Sequence, residues 1–145
     1  MFEDEVLTLD HADYCGVPGY LILRLKTAVE SLSQLDSGAA ARVGQVMSWA
    51  TRAIERAVGA ERVYCLSFCE VDRQLHFHLF PRSRGLLEAY ETATATTGEP
   101  VNGPLLFEWA RTTFAEGRAL PEGFPSVADA CLQIRRALAE AAAPG

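Results

Sequence analysis

Two imidazoles and an amide alternate with apolar side chains in one short stretch of the chain, Gln74-Leu75-His76-Phe77-His78-Leu79-Phe80. Successive side chains of a strand point to opposite faces, so the polar residues at 74, 76 and 78 would share one face. Neutral imidazole can attack phosphorus near pH 7 without losing a proton, and it then becomes a good leaving group. The spacing therefore predicts a strand that carries out chemistry on a phosphate.

The residue types predict a division of roles along this strand. We expect His76 to attack the phosphate in line, and His78 to donate to a non-bridging oxygen or assist the leaving group. Gln74 can hydrogen-bond a phosphate or an imidazole but cannot titrate. Pro81 lacks a ladder N–H and is expected to end the pairing or lie at an edge, with Arg82 just beyond as a fixed positive charge.

A metal centre is a second interpretation of two histidines at this spacing. Cys65, Cys69 or His11 would then supply a third ligand. Zinc needs three or four convergent ligands, and the sequence fixes no other histidine or carboxylate beside the pair. We therefore favour a site with no metal and no bound cofactor.

The segments around the motif alternate as strands, with one long helix between them. Short alternating runs predict strands over residues 5–10, 20–26 and 63–70. A period of 3.6 residues predicts a helix from a cap at Asp36 or Ser37 to a stop at Gly59. Strands followed by helices are typical of an α+β domain with an antiparallel sheet.

The hairpin that enters the motif has a preferred register on this pattern. Pairing Cys69 with Gln74 sets Ser67 opposite His76 and leaves small side chains beside the histidines as the floor of a ligand site. Arg24, on the earlier strand, alternates outward and is expected to belong to a solvated face. After the motif, cap signals at Asn102 and Ser126 predict two further helices.

Composition limits the classes of protein that the chain can be. A length of 145 residues with 49% hydrophobic residues predicts one domain with a proper core. The formal net charge of −6 and the lack of a basic run argue against a nucleic-acid partner. The N-terminal residues are acidic and no window approaches a membrane span, so we expect a cytoplasmic protein.

The motif and its surroundings resemble the histidine triad (HIT) superfamily over residues 6–82. The signature of that family is His, apolar, His, apolar, His and two apolar residues, often followed by Pro-Arg. The upstream run Pro18-Gly19-Tyr20-Leu21-Ile22 is similar to the family's Pro-Gly-His and apolar residues, and a long helix and a hairpin follow in the same order.

This resemblance implies an α+β fold with about five antiparallel strands, in a homodimer that binds a nucleoside phosphate. Members are nucleotide hydrolases or nucleotidyltransferases that act through a nucleotidylated histidine without a metal. Residues 1–85 would form the HIT-like core, and residues 86–145 would be a helical extension packed on it within a single domain. His76 matches the family nucleophile, His78 the third histidine, and Asp10 the residue that holds the ribose hydroxyls.

The chain departs from the family pattern in its hydrogen-bond relay and in the turn before the motif, where Val71-Asp72 is shorter than the family's phosphate-contacting loop and no Gly-Gln pair is present. Gln74 replaces the first motif histidine, and Tyr20 replaces the supporting histidine upstream. A contact from the Tyr20 hydroxyl to the Gln74 amide would have to replace the family's hydrogen-bond relay. The alternative function is therefore a weakly active or inactive protein that binds nucleotides with the same fold.

Overall fold

A five-stranded antiparallel sheet forms the centre of the computed structural model, which describes residues 1–115, 117–118 and 120–143. The strand order is β1-β2-β3-β5-β4. The strands are β1 (Phe2–Glu3), β2 (Leu7–His11), β3 (Leu21–Leu25), β4 (Ala60–Leu66) and β5 (His76–Ser83). The predicted α+β class and the sheet of about five strands are confirmed, and β1 is a short edge strand that the sequence reasoning missed.

The described residues also contain four α-helices: α1 (Ser37–Val58), α2 (Arg84–Thr94), α3 (Gly103–Thr113) and α4 (Val127–Ala142). The Asp36 side chain caps α1 by accepting from the Ala39 N–H, and Gly59 ends it in the left-handed conformation with φ of 62°. A glycine adopts this conformation without steric cost, so the predicted bounds of this helix are confirmed. Asn102 and Ser126 cap α3 and α4 as predicted. Within the described residues, no helix has both the length and the apolar composition needed to cross a bilayer.

Both faces of the sheet are covered by helices. Helices α1 and α4 pack on the face that carries leucines such as Leu9, Leu23 and Leu79. The opposite face carries Ile22 and Phe80 and packs against α2 and α3. The helices after the motif therefore divide between the two faces, and those on the second face lie on the same side as the histidines.

The register of the β4–β5 hairpin differs by one residue from the prediction. Leu66, not Cys65, lies opposite His78. Strand β4 ends at Leu66, and Cys69 lies in the following loop with a left-handed φ of 52°, so Cys69 does not pair with Gln74. The predicted register was wrong because it assumed an open histidine face. Helix α3 covers that face, so apolar side chains of β4 can be buried there.

Pro81 lies at a local edge of the sheet, one of the two predicted alternatives, and it does not end its strand. It pairs with Val63 inside β5, and Arg82 pairs with Arg62 in the same ladder. The pairing of β5 with β3 stops at Leu79, opposite Leu21, so beyond this point β5 has a neighbour on one side only. A residue without an N–H costs least at such a local edge.

Candidate active site

The two motif histidines lie on the interior strand β5, between β3 and β4, in rows that continue across β3 to β2. One row across the sheet runs from His76 to Arg24 and Thr8, and the next runs from His78 to Ile22 and Asp10. Neighbouring strands are about 4.8 Å apart, so Asp10 lies roughly 10 Å from His78 on the same face. The side chains of both histidines are largely covered, with exposed fractions of 7% and 8%.

Backbone geometry fixes the tautomer of His76. Its Nδ1 atom lies 2.7 Å from the carbonyl oxygen of Gln74. A carbonyl oxygen can only accept, so Nδ1 carries the proton and donates it. Neutral His76 therefore has its lone pair on Nε2, the nitrogen that an incoming phosphate would meet.

A pair of tyrosines holds His78. The Tyr20 hydroxyl lies 2.7 Å from His78 Nδ1, and the Tyr14 hydroxyl lies 2.9 Å from that of Tyr20. A chain in which Tyr14 donates to Tyr20 and Tyr20 donates to His78 satisfies all three groups. In this arrangement His78 accepts at Nδ1 and presents an N–H at Nε2.

Burial keeps both members of the Tyr20–His78 pair neutral. Desolvation lowers the pKa of His78 from 6.5 to about 4, with smaller electrostatic contributions from the neighbouring His76, Arg111 and Arg24. Desolvation also raises the pKa of Tyr20 above its usual range. At neutral pH the site therefore has a neutral His78 imidazole and a protonated Tyr20 that can donate to it.

Together the two histidines present a lone pair and a donor side by side. Their ring centroids are 5.0 Å apart, with the planes inclined at 72°. Rings at this separation are close enough for one phosphate group to contact both. This is the arrangement needed for attack by one imidazole with stabilisation of the developing charge by the other.

The predicted contact between Tyr20 and Gln74 is absent from the site. Gln74 instead donates from Nε2 to the carbonyl oxygen of Leu25, at 2.5 Å. Because β3 and β5 are antiparallel, Tyr20 lies near the His78 end of β5 while Gln74 lies beside Leu25 at the other end. The predicted hydrogen-bond partner of Tyr20 was therefore wrong. Tyr20 supports His78, and Gln74 contributes its backbone carbonyl to His76.

Two other predicted site residues are not brought to the histidines. Arg82 follows His76 by six positions in an extended strand, a separation of roughly 20 Å, and forms an ion pair with Glu61 at 2.8 Å. Ser67 lies past the end of β4, not opposite His76. Its hydroxyl is 3.4 Å from Cys69 Sγ, which in turn lies 3.7 Å from His76 Nδ1.

A cleft of about 180 Å³ opens beside the histidine rows, on the β2 side. Its lining includes Thr8, Asp10, Tyr14, Ile22 and Arg24. Asp10, the residue predicted to hold the ribose hydroxyls, is exposed on this cleft. Its carboxylate forms an ion pair with the N-terminal amine. Among the residues that the structure describes, no group of three or more His, Cys, Asp or Glu side chains is placed to hold a metal ion.

Sequence reasoning missed two side chains that shape the site. Phe107 of α3 has its ring 5.8 Å from that of His78 and 6.0 Å from that of Tyr20. Arg24 lies directly opposite His76 on β3. The parity of β3 contained the signal for Arg24, because it is four residues after Tyr20 and so shares its face. No local pattern of α3 shows which strand it covers.

Replacing Tyr20 with phenylalanine should release His78 from its fixed tautomer. The variant leaves His78 Nδ1 without its donor in a buried position, which costs about 1–3 kcal/mol of unfolding free energy. We also expect the ring nitrogen shifts of His78 to move in a ¹⁵N NMR spectrum. Tyr64→Phe, in a ring stacked on Phe80, is the matched control; equal spectra for both variants would contradict the tautomer assignment.

The lowered pKa of His78 predicts a loss of stability at mildly acidic pH. The unfolded chain takes up a proton near pH 6.5 and the folded chain only near pH 4, so unfolding becomes easier as the pH falls through this window. Allowing for solvent screening, we expect a loss on the order of 2 kcal/mol. Urea unfolding at about pH 7 and about pH 4.5 should show this loss, and His78→Gln should lack the His78 share of it. An identical pH dependence in both proteins would be inconsistent with a buried neutral His78.

Solved structures with the same architecture identify the fold. A hypothetical histidine triad nucleotide-binding protein from Sulfolobus tokodaii strain7 superposes with a TM-score of 0.59 at 17% identity, over 96% of this chain and 82% of that one. A Hit-like protein involved in cell-cycle regulation from Bartonella henselae gives 0.58 at 17% identity, over 94% and 83%. A Zn-bound histidine triad family protein from Mycobacterium smegmatis gives 0.57 at 18% identity, over 96% and 82%.

The chain therefore has the histidine triad fold. The resemblance that the motif suggested is confirmed at the level of the fold, and the likeness includes the helices after the motif because it spans nearly the whole chain. No protein-family model and no curated protein matches the sequence.

Proposed function

We propose that this protein binds a nucleoside phosphate on the histidine face of the sheet and cleaves it through a nucleotidyl-histidine intermediate. The observation that carries the proposal is the complementary pair of imidazoles, with a lone pair on His76 Nε2 beside an N–H on His78 Nε2. The printed name of the Sulfolobus tokodaii protein, which describes nucleotide binding, supports the ligand class. Asp10, exposed on the adjacent cleft, would hold the ribose hydroxyls.

The reaction proceeds in two displacements. In the first, the His76 Nε2 lone pair forms a bond to phosphorus while the bond to the leaving group breaks, and the leaving group takes up a proton from solvent, which the second displacement returns. The resulting imidazolium keeps its Nδ1–H on the Gln74 carbonyl, which stabilises its charge. In the second, water attacks phosphorus, loses a proton, and releases neutral His76 with the mononucleotide.

His78 contributes a hydrogen bond, not a charge. With a pKa of about 4 it stays neutral throughout the physiological range. Its Nε2–H would donate to a non-bridging oxygen, where negative charge increases in the transition state. Activity should therefore show no loss from His78 titration between about pH 6 and about pH 8.

Incubation with adenosine phosphoramidate or a dinucleoside polyphosphate tests the proposal. We expect release of a mononucleotide, together with a melting temperature raised by roughly 8 °C at a hundredfold excess of mononucleotide over its dissociation constant. Absence of both product and stabilisation with every base would contradict the proposal.

A second function, nucleotide binding without turnover, is favoured by the cover over the histidines. His76 and His78 expose only 7% and 8% of their surfaces, and Phe107 of α3 packs against the second ring. Such a site could hold a phosphate yet leave no path for in-line attack. Clear thermal stabilisation by nucleotides with no product from any substrate would favour this function over the first.

A further inference from the structure

Arg24 is the cation nearest in sheet position to the attacking histidine. Its Cα pairs directly with that of His76 across the β3–β5 ladder. Directly opposed residues of antiparallel strands have their Cα atoms about 4.5–5.5 Å apart and their side chains on one face. Arg24 also lines the cleft on the β2 side of the histidine rows, and 42% of its side chain is exposed. The side chain is therefore on the same face as His76 and is partly open to a ligand.

Asp72 holds this guanidinium in place. The Asp72 Oδ2 atom accepts from Arg24 Nη1 at 2.5 Å, and its Oδ1 atom accepts from the Gln74 N–H at 3.1 Å. Gln74 in turn accepts from His76 Nδ1 through its carbonyl. One carboxylate thus couples the orientation of Arg24 to the backbone segment that fixes the nucleophile.

Among the described residues, the Arg24 guanidinium has one hydrogen-bond partner, Asp72, so its other donors can contact a ligand. A guanidinium carries five N–H donors in a planar fork, and only Nη1 is bonded to Asp72. The fork matches the oxygens of a phosphate, and an arginine stays charged at every relevant pH. An anionic ligand of His76 needs such a group on its own row, because Arg82 lies far along the strand in an ion pair with Glu61 and the Arg111 guanidinium packs over the rings of Tyr14 and Phe107.

We propose that Arg24 is the phosphate-binding residue of this site and that Asp72 is its positioning residue. The assignment rests on the proposed function and specifies its ligand: a nucleoside 5′-monophosphoryl group. The phosphate lies on the row of Arg24 and His76, and the ribose extends over Ile22 toward Asp10 on the next row. A carboxylate or a sulfate ester that lacks a nucleoside would contact only the row of Arg24 and His76.

Titration calorimetry with the four nucleoside 5′-monophosphates and the four nucleosides tests this assignment. We expect Arg24→Gln to weaken binding of the preferred monophosphate about 10- to 100-fold. Binding of the matching nucleoside should stay unchanged, since it lacks the phosphate. Arg24→Lys keeps the positive charge without the planar fork, so its affinity for the monophosphate should lie between those of the unsubstituted protein and Arg24→Gln.

Arg73→Gln is the matched control, because it removes the same charge from the neighbouring loop. The Arg73 side chain is 75% exposed and is paired with Glu30, away from the histidine rows. This control should bind the monophosphate as tightly as the unsubstituted protein does. Asp72→Asn keeps an acceptor for the Gln74 N–H but loses the charge that holds Arg24. We therefore expect it to weaken binding of the monophosphate a few-fold, which is the scale of a lost surface ion pair.

The possible results distinguish a failure of the Arg24 assignment from a failure of the proposed function on which it rests. If Arg24→Gln binds the monophosphate as tightly as Arg73→Gln, the assignment of Arg24 is wrong while nucleotide binding stands. Equal weakening of nucleoside and monophosphate would also overturn it, because that result indicates a structural role. If the unsubstituted protein binds no nucleotide, the proposed function fails and the assignment fails with it.

Discussion

Replacing His76 with alanine is expected to abolish release of mononucleotide, with a loss of roughly 1,000-fold or more in the single-turnover rate. The reason is that His76 supplies the only bond that the protein itself makes to phosphorus in the proposed reaction. Rapid-quench assays with a dinucleoside polyphosphate measure this rate directly. Binding of the mononucleotide should weaken far less, because Arg24 and Asp10 stay in place.

Gln74→Ala is the control that distinguishes the backbone role of that residue from a side-chain role. The alanine variant keeps the carbonyl that accepts from His76 Nδ1 and removes only the amide that bonds Leu25. We therefore expect turnover within about threefold of the unsubstituted rate, the scale of one neutral hydrogen bond. Full activity of His76→Ala would contradict the mechanism, and complete inactivity of Gln74→Ala would contradict the backbone assignment.

Replacing Phe80 with alanine is expected to cost about 3–5 kcal/mol of unfolding free energy. Its side chain is fully buried, with ring centroids at 5.2 Å from Tyr20 and 5.1 Å from Phe107. The substitution leaves a cavity where β5, the start of β3 and α3 meet. Because Tyr20 and Phe107 both contact the His78 ring, we also expect His78 to lose its fixed orientation.

Urea unfolding measures this cost. The matched control is Phe68→Ala, since the Phe68 side chain is 59% exposed and should change the unfolding free energy by less than about 1 kcal/mol. A loss of under about 1 kcal/mol for Phe80→Ala would show that the aromatic cluster around the site does not hold the sheet to α3.

Local patterns were sufficient to predict most of the elements. Helix α1 could be placed because its apolar period, its Asp36 cap and its Gly59 stop all indicate the same bounds. The alternation of β5 correctly placed both histidines on one face, because side-chain direction in a strand depends only on parity.

The features that could not be predicted all depend on contacts between distant segments. The β4–β5 register depends on the cover over the histidine face, since Leu66 beside His78 is partly buried against the cluster that α2 and α3 form there. The partner of Tyr20 depends on where β3 begins relative to β5, and the sequence contains no signal for that offset. For the same reason Arg24 was assigned to a solvated face, although its parity placed it with the site.

The central claim is that His76 becomes covalently nucleotidylated, and intact-protein mass spectrometry after an alkaline quench tests it most directly. We predict that the protein mixed with a dinucleoside polyphosphate gains the mass of one nucleotidyl group, that peptide mapping assigns the adduct to His76, and that His76→Ala gains none. Mononucleotide release with no adduct, or an adduct on a residue other than His76, would contradict the account.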